Sequence, residues 1–225
     1  MVARNTALSD FIQAHKTVVE TLPLSPIKTF FDKCHAALSK PGVPITKDIS
    51  NLQPVCKYIP ESLQIAGNQG PELKQLSAKF QSLYQQLPWH PSDRSTDKKS
   101  AFYRGHANAV MTGHGGLEEH SSVRFGVSLI APNIEYPNHK HPPEEGYLVI
   151  SEGDWRQANG DWFHRKPGDT VHNVPNIWHA MRSGKSPLLA VWMLWTCLLY
   201  TSDAADEGLG VDLGVRRIIK KKNGG

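Results

Sequence analysis

The chain has 225 residues, enough for one large domain or a domain with a sizeable extension, and long enough to bury a real core. With 39% hydrophobic and 20% charged residues it fits neither a disordered chain nor a coiled coil, and a scattered net charge of +4 gives no argument for nucleic acid or an anionic membrane as partner. Three cysteines without CxxC spacing imply neither a disulfide framework nor a cysteine metal site, so any metal argument rests on the eleven histidines.

The N-terminal stretch is interrupted by Asp10, His15 and Lys16 and has no continuous apolar core, so no secretory signal is read and a cytoplasmic protein is expected. Apolar residues from Leu8 to Leu22 recur at helical spacing. Ser25-Pro26 is a cap followed by proline at the first helical position, and it opens a second helix carrying Ile27, Phe30, Phe31, Cys34 and Leu38, which stops before Pro41-Gly42. Val43 to Gly70 is ambiguous, with a short helix expected around Ile49 to Tyr58. A third helix from near Pro71 carries Leu73, Leu76, Phe80, Leu83 and Leu87 inward. This pattern leaves open whether the helices cover the rest of the protein, form a homodimer interface or act as a lid.

After Leu87-Pro88-Trp89 the character changes to short strand-like runs near 106–112, 123–130, 146–151, 154–157, 161–165, 170–174, 179–182 and 188–195. Asn159-Gly160 between two of them predicts a two-residue hairpin. Many short strands at regular spacing suggest a sandwich or small barrel. The expected division is a helical N-terminal region, 1–88, and a mainly β domain, 89–196. The most apolar run, Leu188 to Tyr200, has 13 residues, short of the roughly 20 that span a bilayer. Beyond it, CLLYTSDAADE and GVDLGVRRII resemble the translation of a sequencing-library adapter and its adjoining primer, so residues 197–225 read as a non-native tail. Without them the chain is a +3, two-cysteine protein.

The chemistry concentrates in Tyr136 to Tyr147, YPNHKHPPEEGY. On an extended strand His139 and His141 share a face, and Glu145 and Tyr147 rejoin it after the Pro142-Pro143 bend. Two imidazoles and a carboxylate suit a first-row divalent cation, and a further histidine is expected from elsewhere. His179, in PGDTVHNVPNIWHA, is that candidate; His172 is its nearest competitor, and Glu144 is the alternative carboxylate.

HxHxxxE followed by PGDxxxxxPxxxH resembles the cupin superfamily, which implies a double-stranded β-helix barrel and, as metal ligands, His139, His141, Glu145 and His179. Gly153 and Pro175 each fall one residue later than in the usual pattern, which lengthens a loop and leaves the ligands intact. With Tyr136, Tyr147, FYRGHANAVMTG and His179-Ala180-Met181, the segment from Leu87 to Trp195 resembles the cupin-type dimethylsulfoniopropionate (DMSP) lyases. The resemblance implies one divalent transition metal (zinc, iron, manganese, cobalt or nickel), a small zwitterionic substrate, and β-elimination to dimethyl sulfide and acrylate. The α-proton is weakly acidic, and a phenol of pKa ~10 becomes a usable base beside a cation that favours phenolate. Tyr147 is the candidate base, and Tyr136 the residue that orients the substrate or assists proton transfer. An aromatic face would hold the sulfonium; Trp155, Trp162, Trp178 and Trp192 are eligible, and Trp178 is preferred because it adjoins a ligand. A cupin dioxygenase or isomerase and a non-catalytic sensor are the alternatives. No helix-turn-helix or basic stripe accompanies a sensor reading.

Overall fold

The computed structural model describes residues 3–92 and 97–196, so the segment 197–225, read from the sequence as a non-native tail, lies outside the described residues. Five helices, α1 (Thr6–Glu20), α2 (Pro26–Leu38), α3 (Ile59–Gly67), α4 (Pro71–Gln81) and α5 (Ala101–Gly105), accompany eleven strands. The strands are β1 (Val43–Pro44), β2 (His106–Thr112), β3 (Glu118–Glu119), β4 (Val123–Ile130), β5 (Glu135–His139), β6 (Glu145–Val149), β7 (Gly153–Gln157), β8 (Phe163–Arg165), β9 (Thr170–Asn173), β10 (His179–Arg182) and β11 (Leu188–Trp195). They form a seven-stranded sheet, β1-β3-β2-β4-β11-β6-β9, and a four-stranded sheet, β5-β10-β7-β8. This is the expected double-stranded β-helix barrel behind a helical N-terminal region.

Helix entries follow local chemistry. The Asn5 side chain accepts from Leu8 N at 3.1 Å and Ser25 caps α2, with Pro26 where its missing N–H costs nothing. The short helix expected at 49–58 lies later: a 3₁₀ turn runs over Pro54–Tyr58 and α3 follows it. Pro54 biases Gln53 to extended backbone and opens the turn itself, so helix cannot precede it. The Asn159-Gly160 hairpin exists, but with a seven-residue loop, because Trp155↔Phe163 is the last β7–β8 pair. Neither residue has the positive φ of a two-residue turn; Ala158 takes it instead, at 50°. Strand β5 escaped the sequence reading because Pro137 interrupts it, which an edge strand tolerates.

The large sheet is buried on both faces, which is why β4 and β11 read as nearly continuous apolar runs. Phe125, Val127 and Leu129 of β4, with Leu189, Val191 and Met193 of β11, pack into one core with Phe11, Phe31, Leu76 and Phe80 of the helices. The alternate residues Ile130, Leu188, Ala190 and Trp192 belong to a second cluster inside the barrel, with Tyr136, Tyr147 and Trp155. The helices therefore cover the barrel. At Gly146 the contact is so close that an added Cβ would lie 2.6 Å from Ile27 Cδ1 and 2.8 Å from Phe31 Cε1. Arg4 adds a two-armed ion pair to buried Glu118, at 2.7 Å through both Nε and Nη2. Cys34 and Cys56 are free and buried, and burial pushes the Cys34 thiol up to about 12, which makes it inert at neutral pH. Among the described residues no helix is long and apolar enough to cross a membrane.

Between α1 and α2, His15 Nδ1 and His35 Nε2 meet at 3.0 Å, and His15 sets its edge against Phe31 and Phe125. Burial lowers both, His35 to about 4, with Lys16 and Lys28 adding to the effect there and Asp32 opposing it. Both are thus neutral in the folded protein at pH 7. An unfolded histidine takes its proton near pH ~6.5, so this contribution to stability is complete above that value and is lost as pH falls toward 4. The urea midpoint is expected to drop between pH 7 and 5, less steeply in His15→Leu; equal slopes for the two proteins would refute the assignment.

Candidate metal centre and active-site cavity

His139 ends β5 and pairs directly with His179 at the start of β10, their ring centroids 4.0 Å apart. His141 is not on the strand. Pro142-Pro143 cannot extend a hydrogen-bonded ladder, so β5 stops at His139 and the turn, rather than strand alternation, brings His141 inward. Asn176 N bonds His141 O at 2.9 Å and ties the β9–β10 loop to that turn. One nitrogen from each of the three imidazoles falls within 4.8 Å of the other two. Glu145 opens β6 in the opposite sheet and places Oε2 3.2 Å from His141 Nε2 and 3.3 Å from His179 Nε2.

The donor set fits a cation on two grounds. His139, His141 and His179 each direct Nδ1 to a main-chain carbonyl, of Pro137, Pro143 and Ile177, at 2.9–3.0 Å. A carbonyl only accepts, so each Nδ1 carries the proton and each Nε2 presents a lone pair. Two such lone pairs face the Glu145 carboxylate, and His179 Nε2 is buried without a hydrogen bond of its own, an arrangement relieved by a positive charge among them. Burial opposes ionisation of Glu145, and positive charge or a donor at His141 and His179, or a cation in their place, is what holds its carboxyl well below the usual range. Behind it Asn173 Nδ2 donates to Oε2 at 2.9 Å, and Gln157 Nε2 donates to Asn173 Oδ1 at 2.7 Å. This supporting pair carries no spacing signal and was not foreseen from the sequence. The competing pair is removed from the centre: His172 Nε2 and Glu144 Oε1 bond each other at 2.8 Å, with His172 beside Phe30 of α2.

Beside the triad lies a cavity of about 380 Å³ lined by Tyr136, Tyr147, His139, His141, Glu145 and Trp192, among others. Tyr147 points inward two residues after Glu145, and both tyrosines are nearly fully buried. The Tyr136 ring lies 4.4 Å from that of His139, and its hydroxyl is 3.4 Å from Ser92 Oγ.

Trp178 is not brought to this cavity. It is 46% exposed, with Lys140 Nζ 5.0 Å from its ring centroid. Alternation explains the misplacement: a neighbour of an inward-pointing strand residue points outward, so adjacency in sequence to His179 works against it. Trp162 is outside as well, with Arg156 and Arg182 over its ring, and Trp155 is core. Of the four, Trp192 lines the cavity, its indole lying over Gly126 so closely that a Cβ there would be 2.2 Å from Cζ2. Sequence reading also missed Arg124, Asn108, Ser128 and His90 on the cavity wall. Arg124 carries its guanidinium carbon 5.9 Å from the Trp192 ring centroid.

The sequence profile of the family described as dimethylsulfoniopropionate lyase matches residues 28–190. A solved structure described as "DMSP lyases RdDddP and RnDddQII" superposes with a TM-score of 0.66 at 20% identity, covering 86% of this chain and 94% of the other. DMSP lyase DddQ from Ruegeria pomeroyi DSS-3 gives 0.60 at 16%, covering 85% and 92%. At these identities the superpositions speak for the fold. No curated protein sequence matches significantly.

Proposed function

The chain belongs to the dimethylsulfoniopropionate lyase family and is a carbon–sulfur lyase, and we propose that it works by metal-assisted β-elimination with Tyr147 as the base. The observation that carries this reading is the convergence of Tyr136 and Tyr147 on the same cavity as His139, His141 and Glu145, with His179 completing the imidazole triad beside it.

In the proposed reaction the Tyr147 phenolate takes a proton from the carbon next to the substrate carboxylate. The C–H pair becomes the new C=C bond, and the C–S bond breaks with its electrons going to sulfur. The sulfonium leaves as neutral dimethyl sulfide, acrylate remains, and the proton resides on Tyr147 until solvent removes it. A divalent cation held by His139, His141, His179 and Glu145 would supply Lewis acidity toward the carboxylate, where negative charge builds. Tyr136, braced by His139 and bonded to Ser92, orients the substrate. The indole of Trp192 and the two phenol rings offer the sulfonium an aromatic surface, the role that Trp178 was expected to play. Main-chain bonds to Nδ1 of each histidine keep the ligand nitrogens aimed without substrate, which is the preorganisation this chemistry needs.

Purified protein loaded with a divalent metal is expected to release dimethyl sulfide into the headspace and acrylate into solution in equal amounts from DMSP. Loaded protein of measured metal content that forms neither product overturns the reading.

A further inference from the structure

On the wall of the cavity that the proposed mechanism leaves unused, Asn108 of β2 stands opposite Ser128 of β4 in register. Its main chain is fixed from both directions: His90 N donates to Asn108 O at 2.8 Å, and Asn108 N donates to His90 O at 2.9 Å. Its side-chain oxygen is engaged twice. Ser128 Oγ donates to Oδ1, and His106 Nε2 lies 3.2 Å from the same atom. His106 is wholly buried and burial lowers it to about 3, so it is a neutral imidazole whose single ring proton is on Nε2, the nitrogen facing the amide oxygen.

With Oδ1 taken by two donors, the amide can rotate no further, and its two N–H groups are turned the other way. Among the described residues none offers an acceptor to Nδ2, while Asn108 is only partly buried and lines the cavity. A pair of preset N–H donors on a cavity wall selects for an acceptor. DMSP has one acceptor group, its carboxylate; its sulfonium end accepts nothing.

We propose that the Asn108 side-chain amide, held by His106 and Ser128, binds a carboxylate oxygen of the substrate and thereby selects for the carboxylate end of the zwitterion. His106 and Ser128 are positioning residues that act through Asn108. His106 also sets its ring 4.7 Å from that of Tyr136, edge to face, and Phe102 lies 4.8 Å from the same phenol, so the carboxylate anchor and the orienting tyrosine share one rigid support. The proposal rests on the DMSP reading, but its test does not need turnover.

Calorimetric titration with acrylate and, separately, with trimethylsulfonium divides the two ends of the substrate. Asn108→Ala is expected to weaken acrylate about ten-fold or more, the scale of a lost hydrogen bond to a charged group, and to leave trimethylsulfonium binding as in the wild type. Asn108→Asp, which keeps the shape but puts an acceptor against the carboxylate, should weaken acrylate further. Ser128→Ala should weaken it less, and rises in KM for DMSP should follow the same order and exceed the changes in kcat. Equal weakening of acrylate and trimethylsulfonium would mark a merely structural role and overturn the proposal. So would unchanged acrylate binding in Asn108→Ala or Asn108→Asp, or a loss seen only in Arg124→Gln. Wild-type protein that binds acrylate but releases no dimethyl sulfide would defeat the lyase reading and leave the Asn108 comparison readable.

Discussion

Tyr147→Phe is expected to lower kcat/KM for DMSP by about 10²–10⁴, the range that a positioned general base contributes. The substitution removes one oxygen from a side chain that is 3% exposed and packs between Trp192 and Val171 in register, so the apolar contacts of the ring survive. Metal content and thermal midpoint should stay close to wild type, because Tyr147 is not among the proposed ligands and Glu145, two residues earlier, is positioned by Asn173. Tyr136→Phe should cost less, since its proposed part is orientation and its ring remains braced by His139, His106 and Phe102. Full activity in Tyr147→Phe, with metal bound, would move the base elsewhere in the cavity.

His179→Ala should be the most damaging change at the proposed metal centre. It removes an imidazole that is 2% exposed and pairs with His139 across the β5–β10 ladder, leaving Glu145 buried with one histidine contact. Bound metal measured by atomic emission is expected to fall to background, and dimethyl sulfide release to fall by at least about 10³-fold, beyond the 10–100-fold typical of losing an outer-shell partner. A second readout is independent of turnover. Chelation should lower the melting temperature of the wild type, because a ligand of the folded state stabilises it by mass action, and should leave His179→Ala unmoved. Identical shifts in the two proteins would sink the ligand assignment. Asn173→Ala sits between these cases: the ligands remain, and the orientation of the carboxylate is lost.

Much of this was legible because the residues involved obey local rules. The two histidine segments have fixed spacing, Ser25-Pro26 is a cap with its proline in place, and β4 and β11 are apolar on both faces. What escaped depends on contacts across long sequence distances. Asn108 meets Ser128 over 20 residues and Asn173 meets Glu145 over 28, and neither separation leaves a periodic trace. Trp178 is adjacent to His179 along the chain but not at the site: His179 is buried, while Trp178 turns to the opposite side and is exposed. Asn-Gly specifies a tight turn only when both flanking strands pair up to it, whereas Arg156 and Gln157 have no partner in β8, whose pairing with β7 reaches only to Phe163.

Strand β4 has a consequence for which changes the protein can absorb. Arg124, Gly126 and Ser128 line or floor the cavity, while Phe125, Val127 and Leu129 between them anchor the helices. A deletion of one residue at the start of this strand would turn three bulky apolar side chains toward the cavity and present a guanidinium and a hydroxyl to the helical core. Changes of length can be taken up in a loop such as Ala158 to Trp162, but not here. Substrate preference can drift on β4 by exchange of Arg124 or Ser128, each of which leaves the odd-numbered anchors undisturbed, whereas Gly126 is fixed by the indole of Trp192 above it.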